Sequence, residues 1–318
     1  MDTEINRKKL ISVVIPAYNE ELVVDELARQ LRKVFAEINK YDFEVIIVEN
    51  GSTDNTFEKL LAIYQQDKRF KILQMSRTFY CDGGITAGLQ FAKGEAAVIM
   101  TADLQDPPYM IPKFIEKWEE GYENVYGIAT KRQGTSLMRR LNSRLFYWLI
   151  NKMSANLFPP NASDFRLVDR KVYRVINKMQ ERNRFIRGMF AWAGFKSVGV
   201  PHERAERFAG QSKANFFAVL AMALKSIFMY SYVPLRFITY LGIFVSISSF
   251  TFLIYTIIVA FTQGVPFSGY GTLVSIMTFM FGILFLILGI MSEYIALILN
   301  ETKQRPNFIV KKKIGFDD

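Results

Sequence analysis

The sequence predicts an α/β protein: a mostly parallel sheet flanked by helices, followed by interfacial helices and a two-helix transmembrane hairpin. Two observations carry this. Over residues 11–100, short apolar runs alternate with stretches of helical period, the signature of parallel strands joined by helical crossovers. From residue 237 to residue 292, 56 consecutive positions hold no Asp, Glu, Lys or Arg. All 40 Lys and Arg and all 30 Asp and Glu lie elsewhere, in a part with the make-up of an ordinary globular domain. The chain is two things joined.

The first strand is Ile-Ser-Val-Val-Ile at 11–15, ended by Pro16. Leu22, Leu27, Leu31, Val34, Phe35 and Ile38 then recur with helical spacing over 22–40. Residues 43–48 form a second strand, closed by the turn-rich Asn50-Gly51-Ser52-Thr53-Asp54. A helix over 55–66, a strand at 71–75, a helix over 83–92 and a strand at 96–100 follow. Ligands of such sheets bind beyond the carboxyl ends of the strands. The segments after Ile15, Val48 and Met100 are therefore expected to meet at one crevice.

Residues 135–158 and 214–233 are amphipathic and rich in aromatics. Lys225, near the middle of the second, would cost about 2.5–3.5 kcal/mol in a spanning helix, which makes that helix interfacial; a core helix of the globular domain fits equally well. Residues 237–262 and 271–298 each exceed the roughly 20 apolar residues that cross a hydrocarbon core. The stretch between them, with Gly264, Pro266, Gly269 and Gly271, is a turn. Lys225 and Arg236 precede the first span; Lys303, Arg305, Lys311, Lys312 and Lys313 follow the second. Positive residues at both outer ends, with none in the turn, place both termini in the cytosol of a multi-pass protein of the cytoplasmic membrane. The expected organisation is a cytosolic catalytic domain over 1–213, a juxtamembrane helix over 214–235, two spans within 236–299, and a basic cytosolic tail over 300–318.

A net charge of +10 suits an anionic partner such as nucleic acid, acidic lipid or a phosphorylated ligand, and does not choose among them. One cysteine, Cys81, allows no internal disulfide and fits a reducing compartment. One histidine, His202, and one cysteine make a His/Cys zinc site unexpected. The polar, charged residues 1–9 are not a secretory signal.

Four motifs carry chemistry. The strongest is Thr101-Ala102-Asp103-Leu104-Gln105-Asp106-Pro107-Pro108, directly after a strand. A carboxylate there can hold Mg2+ or Mn2+ through oxygen, with Gln105 sharing the task and water and diphosphate completing the shell; plain strand-end capping is the alternative for Asp103 alone. Asp106 fits the N-cap of a helix with proline at its first position. The second motif, Pro16 to Glu20, can pack a nucleobase on Pro16 or Tyr18 and offer Glu20 for polar contacts, or can simply connect strand to helix. In the third, Glu49 can accept a hydrogen bond from a base or ribose, although turn chemistry accounts for its neighbours. No Gly-x-Gly-x-x-Gly follows the first strand, which argues against a dinucleotide. The fourth, Arg204 to Lys213, sets Arg207 and Lys213 around Gly210 and Ser212 as a phosphate clamp; non-specific contact with anionic lipid is the alternative.

These elements in this order resemble the family-2 glycosyltransferases of GT-A (Rossmann-like) fold. The closer likeness is to the polyisoprenyl-phosphate glycosyltransferases, which include dolichol-phosphate mannose synthase and the bactoprenol glucosyltransferases. It runs from Ile11 through both spans and takes in Ser76-Arg77, Gly84 to Gly94, and Ser163-Asp164-Phe165-Arg166-Leu167. The resemblance implies that Pro16, Tyr18, Glu20 and Glu49 contact the nucleotide, that Ala102, Asp103 and Gln105 form the diphosphate and metal site, and that Arg207 and Lys213 meet phosphate. Three positions depart from the pattern: Thr101 replaces the first Asp of Asp-Ala-Asp, Glu49-Asn50 replaces Asp-Asp, and Ala129 stands where relatives often have Arg, with Lys131 and Arg132 as the available substitutes.

The expected reaction is an inverting transfer of one sugar from a nucleoside-diphosphate sugar, UDP-glucose foremost, to a polyprenyl phosphate. Asp103, Arg207 and Lys213 carry the chemistry. Pro16, Tyr18, Glu20, Glu49, Ala102, Gln105 and Arg132 hold the donor, and Ser212 joins the acceptor-phosphate site. The expected partners are that donor, that lipid phosphate and the bilayer, with no nucleic acid; a homo-oligomer is left open, as is uracil against guanine. The alternatives are a processive polysaccharide synthase, for which the chain has no Gln-x-x-Arg-Trp, and an inactive membrane scaffold of the same fold.

Overall fold

The structure is a computed structural model that describes residues 8–132, 162–204, 233–263 and 269–316. Two compact units divide the chain: residues 1–216 with 304–318, and residues 217–303.

The first unit opens with alternation of the expected kind. In order come β1 (Lys9–Ala17), α1 (Val24–Glu37), β2 (Tyr41–Glu49), α2 (Thr56–Gln66), β3 (Phe70–Met75), α3 (Tyr80–Phe91) and β4 (Ala96–Ile99). After a short 3-10 turn at Pro108–Met110 follow α4 (Ile111–Glu119), β5 (Asn124–Arg132), β6 (Ala162–Asp169), α5 (Arg170–Lys178), α6 (Ile186–Trp192) and β7 (Ser197–Arg204). The last element is β8 (Val310–Ile314). The eight strands make one sheet in the order β7-β5-β6-β4-β1-β2-β3-β8. Pairings β4/β1, β1/β2, β2/β3 and β5/β7 are parallel; β6 runs antiparallel to β4 and β5, and β8 antiparallel to β3.

Central strands are covered on both faces, so they read as nearly unbroken apolar runs. Ile11, Val13 and Ile15 pack with Leu27, Leu31, Leu60 and Phe114 on one side; Val14, Ile85, Leu89 and Ile99 pack on the other. The polar exceptions satisfy one another. Glu44, 3% exposed, accepts from the Ser12 hydroxyl at 2.6 Å, the Lys93 N–H at 2.8 Å and Lys71 Nζ at 2.7 Å, which a buried carboxylate requires. The lone His202 is also buried, edge-on to Phe165.

The tail is more than the basic segment its lysines suggest. Residues 310–314 form the sheet's eighth strand, and Phe308, Val310 and Phe316 pack against the cluster of Ile46, Val48, Leu73 and Met75.

In the second unit, α7 (Val233–Gln263, 31 residues) and α8 (Tyr270–Thr302, 33 residues) correspond to the two expected spans. At about 1.5 Å per residue each is over 45 Å long, more than a hydrocarbon core of about 30 Å needs. Both are long and apolar enough to cross a membrane, and the candidate spans Val233–Phe252 and Phe279–Thr302 are 0% buried. Phe244, Phe250, Phe279 and Phe285 all stand outward. The Ser249 hydroxyl lies 4.0 Å from Met280 Sδ, so the helices touch. The amphipathic stretches at 135–158 and 214–233 fall outside the described residues, apart from Val233.

Candidate active site

Sheet order decides where the motifs meet. β1 lies between β4 and β2, all three parallel, so their carboxyl ends share one edge. The Asn50 N–H donates to Ala17 O at 2.9 Å and the Met100 N–H to Val14 O at 3.1 Å, carrying the pairing to the strand ends. The segments after β1 and β2 are then tied directly. The Asn19 N–H donates to Ser52 Oγ (3.1 Å), the Thr53 N–H to Asn19 Oδ1 (2.9 Å), and the Glu20 N–H to Thr56 Oγ1 (2.8 Å). Asn19 accepts a φ of 54° in making this joint, a left-handed conformation that Asn tolerates.

The individual positions differ in exposure. Tyr18 is exposed, Glu20 is half-buried, and Pro16 packs against α3. That helix comes close because it carries glycine where it crosses β1: a Cβ on Gly84 would sit 2.8 Å from Pro16 Cβ, and one on Gly88 2.2 Å from Val14 Cγ1. Glu49 is 2% exposed and accepts the Ser52 N–H at 2.5 Å. Asn50 clasps the start of α3, its amide taking the Phe79 N–H at 2.8 Å and donating to Tyr80 O at 2.7 Å.

Beyond β4, Ala102 and Asp103 are buried and Gln105 is half-buried. The Asp103 carboxylate accepts from the Thr101 hydroxyl at 2.7 Å and the Gln105 N–H at 3.2 Å. The expectation for Asp106 is corrected. No side chain caps the 3-10 turn or α4, and the residue before the turn is Pro107. Asp106 faces back instead, accepting from Thr101 Oγ1 at 2.9 Å and the Thr101 N–H at 3.4 Å. The turn ahead begins with two prolines and so offers few N–H donors to cap, which leaves the Thr101 N–H and a share of its hydroxyl as partners within reach.

Next to β4 runs β6, with Arg166 opposite Ile99. Burial pulls the Arg166 guanidinium down to about 10, which leaves it cationic at neutral pH. It donates to Ser163 O at 3.0 Å and stacks over Phe190. Asp164 pairs with Arg187 at 2.7 Å. These residues of the Ser163–Leu167 motif therefore support the floor beside β4. Arg132 is the last residue of β5, its side chain outside the described set; Arg207, Ser212 and Lys213 also lie outside the described residues.

Asp103 and Gln105 offer hard oxygen donors, and no group of three or more His, Cys, Asp or Glu stands together among the described residues. Such a sparse set fits Mg2+ or Mn2+ bound jointly with phosphate and water, and does not fit a dedicated protein cage. Asn19, Asn50 and Thr101 are the residues that sequence reasoning passes over as candidates: Asn19 and Asn50 bond to segments that only the fold makes neighbours, and Thr101 bonds to two carboxylates of its own loop.

The family model of glycosyl transferase family 2 matches residues 12–177, from β1 into α5. The chain belongs to glycosyl transferase family 2. The enzyme is a glycosyltransferase, and the mixed sheet flanked by helices is the α/β arrangement expected of it. It is 38% identical over 307 residues to an uncharacterized glycosyltransferase of Synechocystis sp., covering 96% of each chain. It is 36% identical over 302 residues to an SfII prophage-derived bactoprenol glucosyl transferase of Shigella flexneri, covering 95% of this chain and 97% of that one. Coverage of that extent takes in both long helices of the glycosyltransferase. Among solved structures, glucosyl-3-phosphoglycerate synthase from Mycobacterium tuberculosis, in complex with Mn2+, UDP and glucosyl-3-phosphoglycerate, is similar at 18% identity and a TM-score of 0.47, over 69% of this chain and 78% of that one.

Proposed function

We propose that this glycosyltransferase moves one sugar, with inversion, from a nucleoside-diphosphate sugar to a polyprenyl phosphate at a lipid bilayer, with UDP-glucose as the donor. The observation that carries the proposal is full-length similarity to a bactoprenol glucosyl transferase in a chain whose Asp103 lies at the carboxyl edge shared by β4, β1 and β2.

In this reading Pro16, Tyr18, Glu20 and Glu49 hold the nucleoside, while Ala102, Asp103, Gln105 and Arg132 face the diphosphate. Arg207, Ser212 and Lys213 grip the acceptor phosphate, Arg as a fork and Lys as a point charge. A phosphate monoester loses its second proton at about pH 6, so the attacking oxygen is already anionic at neutral pH and needs no strong base. That oxygen bonds to the anomeric carbon as the bond to the diphosphate breaks, and the leaving group keeps the electron pair. Mg2+ or Mn2+ held by Asp103 and Gln105 would supply charge neutralisation for that diphosphate. The chain's own part is alignment of the two substrates and fixed polar groups at both phosphates.

Chain connectivity supports the membrane topology. The chain leaves the catalytic unit for α7, and after α8 it returns to pair β8 with β3. Two crossings restore the starting side, and the lysines and arginines outside both spans favour the cytosol for it.

The test is to incubate membranes bearing the protein with radiolabelled UDP-glucose, other nucleotide sugars and a polyprenyl phosphate. Label from UDP-glucose should enter extractable lipid as a single sugar, and Asp103→Ala should abolish this. Polymer instead of a single-sugar lipid would point to a processive synthase, and no lipid label from any donor would sink the proposal.

A further inference from the structure

Thr101 stands between the two carboxylates that follow β4. Its Oγ1 is 2.7 Å from Asp103 Oδ1 and 2.9 Å from Asp106 Oδ2. A hydroxyl has one proton to give. The shorter contact makes Asp103 its main recipient, and Asp106 takes the Thr101 N–H as well, at 3.4 Å. The Gln105 N–H closes the loop onto the same Asp103 oxygen at 3.2 Å.

The backbone bends to allow this. Leu104 has a φ of 58° with its side chain 6% exposed. A bulky residue seldom adopts the left-handed region, and such strain persists where surrounding contacts over-determine it. Here the contacts are the anchored Leu104 side chain and the two donors on Asp103 Oδ1. One donor is the backbone N–H of Gln105, which any residue but proline would supply. The other is the Thr101 hydroxyl, a side-chain donor from within the loop itself.

We propose that Thr101 is a positioning residue: its hydroxyl fixes the rotamer of Asp103 and so sets the affinity of the site for a divalent cation. Thr101 occupies the first place of the Thr-Ala-Asp run, where a carboxylate would add a second negative charge. This chain instead places a neutral donor that orients the one carboxylate it keeps. The inference rests on the metal-and-diphosphate role given to Asp103 above.

The test uses the full-length protein in detergent and reads Mn2+ binding in the presence of UDP by electron paramagnetic resonance, without turnover. Thr101→Val keeps the shape and removes the donor; it should weaken Mn2+ binding about 10-fold, the lower end for loss of a group that orients a metal ligand. Thr101→Ser restores the hydroxyl and should recover most of the affinity. In turnover assays, Thr101→Val should raise the Mn2+ concentration needed for half-maximal rate more than it raises the donor KM. Wild-type Mn2+ affinity in a folded Thr101→Val protein overturns the inference and leaves the proposed reaction standing, even if the melting temperature falls. Should the valine variant not fold, Thr101→Ala and Thr101→Ser, which differ only by the hydroxyl, give the same comparison, and equal affinities overturn it. A wild-type protein that binds no Mn2+ with UDP removes the metal role of Asp103 and the inference together.

Discussion

The Ser76 N–H donates to Ile309 O at 3.0 Å, fastening the chain that follows the second long helix to the end of β3 just before it becomes β8. The fastening continues along the tail. Asn307 Nδ2 donates to Glu181 O at 3.2 Å, Phe316 stacks edge-on against Phe91 at 5.5 Å, and Lys71 Nζ lies over the Phe316 ring.

The first prediction is that the tail stabilises the catalytic unit by burying apolar surface. Phe316→Ala should lower unfolding stability by about 1–2 kcal/mol, the burial of a partly covered aromatic ring. Lys312→Ala, at an exposed position opposite Gln74, should change it by less than about 0.5 kcal/mol. Denaturant titration of the purified protein measures both. Equal effects from the two would mean that β8 is merely laid on the edge.

A second prediction concerns acid. Glu119 accepts from Lys40 Nζ at 2.8 Å and from the Tyr41 hydroxyl at 2.5 Å. Lys40 first and Tyr41 second hold the Glu119 carboxyl below its usual range, while burial and then Glu119 raise the Tyr41 phenol. A carboxylate depressed in the folded state adds stability that is present above its unfolded pKa, about 4.3, and is lost as pH falls through the lower folded value. Tyr41→Phe keeps the ring and removes one donor. Acid unfolding followed by tryptophan fluorescence should then begin at higher pH. The loss at neutral pH should be about 1 kcal/mol, small for a hydrogen bond to a charge because Glu119 is partly solvated. An unmoved acid transition would show that the contact carries no such coupling.

How far the sequence exposed this architecture depended on whether an element's pattern reports its own burial. β1, β2 and β4 lie inside the sheet, so their residues are apolar on both faces, and α1 shows its inner stripe in Leu27, Leu31, Val34 and Phe35. Leu22 matches that stripe by spacing yet is 67% exposed; Glu20 O accepts the N–H groups of Val23 and Val24, and the helix starts after it. β8 has one neighbour and three exposed lysines in a row, which locally describe a solvated tail; only the distant β3 makes it a strand. β5 and β7 were hidden by Gly127, Gly199 and Pro201, residues that interrupt a strand pattern. In the site, the Asp103 motif was legible because a carboxylate at a strand end has a chemical meaning of its own. Thr101 and Asn50 have meaning only through partners, and Asp106 fitted a cap on spacing alone, whereas in the fold it turns back to the Thr101 N–H and hydroxyl.

The last prediction tests one of those partnerships. Asn50 is 3% exposed, and its side chain satisfies both the Phe79 N–H and the Tyr80 carbonyl. Tyr80 is held there at a φ of 57°, a conformation that costs energy outside glycine. Removing the clasp leaves an N–H and a carbonyl without that partner, at about 1–2 kcal/mol in a partly buried turn. Asn50→Ala should therefore lower stability by about that amount. Asn50→Asp can still accept from Phe79 but turns a carboxylate oxygen toward the Tyr80 carbonyl, so it should do no better. Because Asn50 directly follows Glu49, which the proposed reaction places at the nucleoside, loosening it should also raise the donor KM several-fold while kcat falls less. Unfolding midpoints and donor titrations on the same preparations separate the two roles. A drop in stability with an unchanged KM would confine the clasp to folding, whereas no change in either would mean that the turn at Tyr80 is held by α3 itself.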